Sequence, residues 1–146
     1  MKRSLLMRIS PILLGVAAMI GCNDITSLSK DGPAGGYTAI ILVTTENSVP
    51  TNELAMGGSF TINLDRNGTT SGHLHIVASG TNPALDADMA GTWTKIGDEV
   101  EFTQAADSFV RDMTFTIEQI TDGVWFLVGD QVFGTTRVNV RLAQNS

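Results

Sequence analysis

His73 and His75 are the only imidazoles in this chain of 146 residues. On a β-strand, residues i and i+2 share a face, with about 6.5–7 Å between them. Two imidazoles so placed can meet one metal ion. Catalytic zinc takes three protein ligands, so a carboxylate such as Glu99 or Asp65 would have to complete the set. Leu74 and Ile76 claim the opposite, apolar face, which turns the histidines outward as a solvated cross-strand pair. Asp86, Asp88, Asp107 and Asp112 sit in polar connecting stretches where carboxylates could reach Ca²⁺. Calcium wants six to eight oxygens, and no Asp-x-Asp-x-Asp-Gly loop is present. The expectation is no metal and no cofactor, with His73 and His75 as the candidates otherwise and Arg111 paired to a nearby acid.

Catalysis finds few footholds. The sequence has no Gly-x-Ser-x-Gly elbow and no glycine loop that opens a helix. Glu99 and Glu101 share a strand face expected to be wet, without the dry surroundings that tune general acids and bases. The expectation is therefore not an enzyme. Trp93, Phe60, Phe102, Met113 and Phe115 are the candidate ligand-binding residues. With Trp125, Phe126, Phe133, Met89, Ile62 and Leu74 they would line a cavity for an apolar molecule. The same side chains would equally fill a solid core.

Strands must carry these residues. Phe60, Ile62 and Leu64 alternate with Ser59, Thr61 and Asn63; Met113, Phe115 and Ile117 alternate with Thr114, Thr116 and Glu118. Val138, Val140 and Leu142 alternate with Arg137, Asn139 and Arg141. Period two marks half-buried antiparallel strands. Turn chemistry at Asn67-Gly68, Gly97-Asp98 and Asp122-Gly123 separates them. The pattern predicts strands near 37–44, 58–65, 70–78, 88–96, 99–104, 112–120, 123–129 and 135–143. Thr45–Gly57 reads as a loop with a helical turn around Asn52–Met56. Gly80–Ala87 and Ala105–Arg111 read as loops, the latter with a short turn of helix. An open sheet of about eight strands would expose two edges. Closure gives an all-β, single antiparallel up-and-down β-barrel; a β-sandwich is the alternative.

Charged residues make up only 16% of the chain, against roughly 25% in ordinary soluble proteins. The formal charge is −6, which excludes a basic nucleic-acid binder. Lys2, Arg3 and Arg8 precede an uncharged, largely apolar run from Ile9 to Gly21. That run covers roughly 20 Å as a helix, too short to cross a bilayer core of about 30 Å. It reads as a signal-peptide core. It ends at Met19-Ile20-Gly21-Cys22, which holds the only cysteine. This box resembles that of bacterial lipoprotein precursors. The resemblance implies a signal peptide over 1–21 and a lipid on Cys22. It also implies a cell-envelope location, lipid-anchored. Asn23 in place of Asp implies the outer membrane, facing the periplasm or surface, if the cell has one. From Cys22 on, six basic side chains face fifteen acidic ones, a formal charge of −9. Residues 22–36 form the lipidated Cys and a flexible tether, and 37–146 the barrel domain.

Gly91-Thr92-Trp93 and the turn Gly97-Asp98 resemble the Gly-x-Trp hairpin of bacterial lipocalin-like (calycin-type) domains. In lipocalins that motif opens the first strand, whereas here it falls on the fourth, so no ligand residues carry over. The resulting expectation is a non-catalytic binding module for a small apolar ligand or an envelope protein partner, held to the membrane by its lipid. The alternatives are a structural or interaction protein with a filled barrel, and a barrel-type protease inhibitor using the Asn23–Gly36 arm.

Overall fold

Apolar alternation requires each strand to bury one face, and a strand without neighbours on both sides leaves backbone groups unpaired. The computed structural model describes residues 32–79, 83–120 and 123–146. Among them run β1 (Gly35–Glu46), β2 (Val49–Asn52), β3 (Ser59–Leu64), β4 (Thr69–Ile76), β5 (Leu85–Asp88) and β6 (Gly91–Ile96). They continue with β7 (Glu99–Gln104), the helical turn α1 (Phe109–Asp112), β8 (Phe115–Gln119), β9 (Trp125–Phe133) and β10 (Thr136–Gln144). The strands β1, β3, β4, β6, β7, β8, β9 and β10 follow one another around one antiparallel sheet, and β10 pairs back onto β1. The expected up-and-down barrel is therefore closed, and the sandwich alternative is excluded. The signal segment, Cys22 and most of the tether lie outside the described residues.

All eight expected strands are present, β7 with the expected bounds and the other seven with shifted ends. Two further strands correct the loop readings. β2 falls within Thr45–Gly57 and is joined to β1 by Asn47 and Ser48, both at positive φ (48° and 65°). That is the primed two-residue turn that suits the twist of a hairpin. The usual Asn-Gly signal is missing, and Pro50 argues against a strand. Pro50 is tolerated because β2 pairs with β1 alone and so forms an edge. The second addition, β5, buries Ala87 and exposes Asp86 and Asp88. Its alternation spans only four residues. The helical turn at Asn52–Met56 is present, with the Met56 N–H donating to the Asn52 carbonyl over 3.2 Å. The turn expected in Ala105–Arg111 appears as α1, which displaces the start of β8 from 112 to Phe115.

The inner faces fill the barrel. Tyr37, Leu42, Phe60, Ile62, Leu64, Leu74, Met89, Trp93, Phe115, Leu127 and Leu142 are essentially inaccessible. An eight-strand barrel is just wide enough for side chains to meet across its axis. A register shift between Ala39 and Ile41 bulges β1, leaving Ile40 and Ile41 both exposed before Leu42 returns inward. Trp93 seals one end. Its indole N–H donates to the Asp65 carbonyl at 2.8 Å, and its amide to the Gly68 carbonyl at 2.9 Å. Nearby, the Tyr37 hydroxyl donates to the Pro33 carbonyl at 2.6 Å. Burial pushes this phenol well above its ordinary range.

β4 exchanges partners midway, from β6 at Thr69–Thr70 to β5 at His73–Ile76. Gly72 stands at the exchange with φ 131°, and a Cβ there would collide with the Thr61 carbonyl oxygen. Gly72→Ala is expected to cost about 2–4 kcal/mol, read from the urea midpoint. Gly97→Ala, at a turn with open space around it, is expected to cost only about 1 kcal/mol.

Candidate binding cleft

The two ends of the barrel differ. The end that receives the start of β1 is closed by Trp93 and the turn between β3 and β4. At the other end the chain leaves β1, β4, β7 and β9, and the packing stops short. A cleft of about 870 Å³ opens there. Ile76, Val77 and Leu85 from the end of β4 and the start of β5 form one wall. Phe133, Thr136 and Val138 from the hairpin of β9 and β10 form another. Thr44, Val49 and Thr51 from β1 and β2 complete the rim, and Phe109 of α1 closes the floor. Phe109 meets Phe60 of the core edge to face, with ring centres 6.3 Å apart. The floor of the cleft is thus the top of the hydrophobic core.

Two buried polar side chains in this wall each carry an oxygen without a partner among the described residues. Glu53 is only 2% exposed. The turn after β2 folds it inward: its amide donates to the Leu42 carbonyl at 2.9 Å, and its own carbonyl accepts from the Gly58 amide at 2.8 Å. The Thr44 hydroxyl donates to Glu53 Oε1 at 2.5 Å, while Oε2 has no hydrogen-bond partner. Ser108, just before α1, is 7% exposed, and its Oγ is likewise unpartnered. Buried polar atoms are nearly always satisfied, so such atoms in a cleft wall mark where a ligand or water belongs. Among the described residues, the charged members of the lining are Glu46, Glu53, Asp107 and Asp112, with no Lys, Arg or His. Arg111, outside the lining, bridges Asp107 at 2.8 Å and Asp112 at 3.0 Å.

Of the aromatic residues named from sequence, Phe133 lines the cleft and the others lie elsewhere. Trp93, Phe60, Phe102, Met113 and Phe115 are all buried in the packed interior, and none lines the cleft. Phe60 reaches it indirectly, through Phe109. Phe102 and Phe115 pack edge to face at 5.3 Å. Sequence reasoning passed over Glu53, Ser108, Leu85 and Phe109. One signal was available for Glu53: it is the only charged residue between Glu46 and Asp65. The Arg141 guanidinium lies over the Phe126 ring, 4.5 Å from its centre.

His73 and His75 face outward on β4, beside β5. Asp86 Oδ1 lies 3.2 Å from His73 Nε2 and 2.7 Å from His75 Nδ1. Asp88 Oδ1 lies 3.1 Å from His73 Nδ1. Asp86 and Asp88 fill the place that Glu99 or Asp65 was named for. Among the described residues no group of three or more His, Cys, Asp and Glu is arranged to hold a metal ion. Asp88, then Asp86, hold the His73 imidazolium and raise its pKa above the ordinary 6.5. A raised value in the folded state means that this contribution is complete below about 6.5 and is lost as pH rises through the folded value. Tm is therefore expected to fall slightly between about pH 6 and 8, and His73→Gln to flatten that slope in differential scanning calorimetry. No family model, curated protein or solved structure matches this chain, so the cleft is read from its own chemistry.

Proposed function

We propose that this chain is a non-catalytic binding module of the bacterial cell envelope. It holds a small ligand with an apolar body in the cleft at the barrel mouth and is anchored by a lipid on Cys22. The observation that carries the ligand half is the cleft, about 870 Å³ bounded by Ile76, Leu85, Phe109, Phe133 and Val138. Its size and largely apolar wall are those of small-molecule sites. The lipocalin-like reading accords with the closed eight-strand barrel, but the ligand sits at the mouth, above a filled interior. The anchor half rests on the sequence, where the only cysteine ends an apolar run.

The two halves fit together geometrically. Gly35 and Gly36 of β1 pair with Leu64 and Asn63 at the end of β3, and the Gly36 carbonyl accepts from the Asn145 amide just past β10, at the end of the barrel opposite the cleft. A tether joined there attaches the barrel at the end far from the mouth and leaves the mouth clear of the attachment point. The barrel domain is acidic and gains nothing from an anionic membrane surface, so the lipid must supply the attachment.

Nile red is expected to bind the secreted Cys22→Ser form. Leu85→Gln and Phe133→Gln should each weaken that binding about tenfold or more, since each removes an apolar wall. No uptake by a folded protein would overturn the ligand reading. Radiolabelled palmitate should enter the wild-type protein in cells and not Cys22→Ser; equal label in both would overturn the anchor.

A further inference from the structure

We infer that the ligand of the cleft is a cationic amphiphile, an apolar body that ends in an ammonium group held by Glu53 Oε2. The inference deepens the proposed cleft reading and rests on it. A buried carboxylate needs charge-compensating, hydrogen-bonding partners for both oxygens. Thr44 supplies a donor to Oε1, and Oε2 is left without one among the described residues. Glu53 is 2% exposed and lines the cleft, so the missing donor has to come from within that space. Ser108 Oγ, also unpartnered in the same wall, offers a second acceptor.

The sign of the charge follows from the rest of the lining. Among the described residues, carboxylates are its only charged groups, and no Lys, Arg or His lines the space. An anionic head group would be repelled by the walls and would find no counter-ion. A neutral hydroxyl would satisfy the hydrogen bond but leave the carboxylate charge uncompensated. An N⁺–H donor does both, and charge-assisted hydrogen bonds are roughly twice as strong as neutral ones. The apolar remainder of such a ligand would lie on Ile76, Leu85, Phe109 and Phe133.

The test uses the full chain in phosphatidylcholine nanodiscs, with empty nanodiscs as the blank. The probes are n-hexylammonium, n-hexanol and n-hexanoate, whose short chains partition weakly into lipid. Isothermal titration is expected to show n-hexylammonium binding about tenfold tighter than n-hexanol, and n-hexanoate weakest. Glu53→Gln, which keeps an acceptor for Thr44, should abolish the ammonium preference and leave n-hexanol binding in place. Retained n-hexanol binding also shows that this variant is folded. Ser108→Ala should weaken n-hexylammonium by about threefold. Should Glu53→Gln fail to fold, the order of the three probes on the wild-type chain still decides. Equal affinities for the ammonium and the alcohol, or a preference that survives in Glu53→Gln, would overturn the cationic ligand while leaving the cleft reading intact. Failure of all three probes to bind would overturn both.

Discussion

The pairing of β1 with β10 joins the first and last strands, Tyr37 opposite Gln144 and Glu46 opposite Thr136, and the rest of the barrel depends on it. Without it the sheet would have two edges and an apolar face open to water. With it, each barrel strand has two neighbours and the inner faces enclose a common interior. The bulge at Ala39–Ile41 is part of this constraint. It lets a strand as long as β1 bend around the barrel while Tyr37, Ala39 and Leu42 all point inward. Its cost is two outward isoleucines, which strict alternation would not have allowed.

Closure alone leaves open where the packing stops. Around Trp93 and Tyr37, large rings with anchored polar atoms fill the axis, and that end is sealed. Toward the other end the inward residues become shorter or polar, among them Thr44, Ser108 and Thr136. The core then gives way to a cleft instead of a lid. β2 and β5, the strands outside the main circuit, both border that end. They extend the walls beyond the barrel proper and make a shallow rim into a pocket. A ligand site that stands on top of a filled barrel separates two tasks, since the lower interior holds the fold and the upper rim remains free for recognition.

How far the sequence could be read depended on the range of the interactions involved. Strands with several turns of alternation, such as Ser59–Leu64 and Thr136–Gln144, were legible because each position carries the same message. Leu85–Asp88 was not, since four residues of alternation beside Pro83 are too few to outweigh a loop composition. Val49–Asn52 was hidden by Pro50, whose missing N–H matters only if both edges of the strand are paired. The short helical turns at Asn52–Met56 and Phe109–Asp112 were legible from local turn-forming residues. The site was less legible than the fold. Aromatic content pointed to Trp93, Phe60, Phe102, Met113 and Phe115, yet aromatics serve cores and pockets alike. Separating those uses requires knowing at what height along the barrel each side chain lies.

The sequence by itself determined an all-β chain of about eight antiparallel strands, the outward face of the two histidines and the acidic balance, while the pairing of β10 with β1 decided for a closed barrel over a sandwich. The former are sums over periodic or compositional features, and hydrophobic burial enforces them wherever the chain packs. Tertiary structure decided which residues meet: Asp86 and Asp88 around His73, Arg141 over Phe126, and Thr44, Glu53 and Ser108 at one rim. Those contacts join segments far apart in the chain through strand register and barrel stagger. Register is set by all the pairings around the closed sheet together. A buried Glu53 with one satisfied oxygen and one open one is therefore a property of the closed barrel, invisible in the residues that flank it.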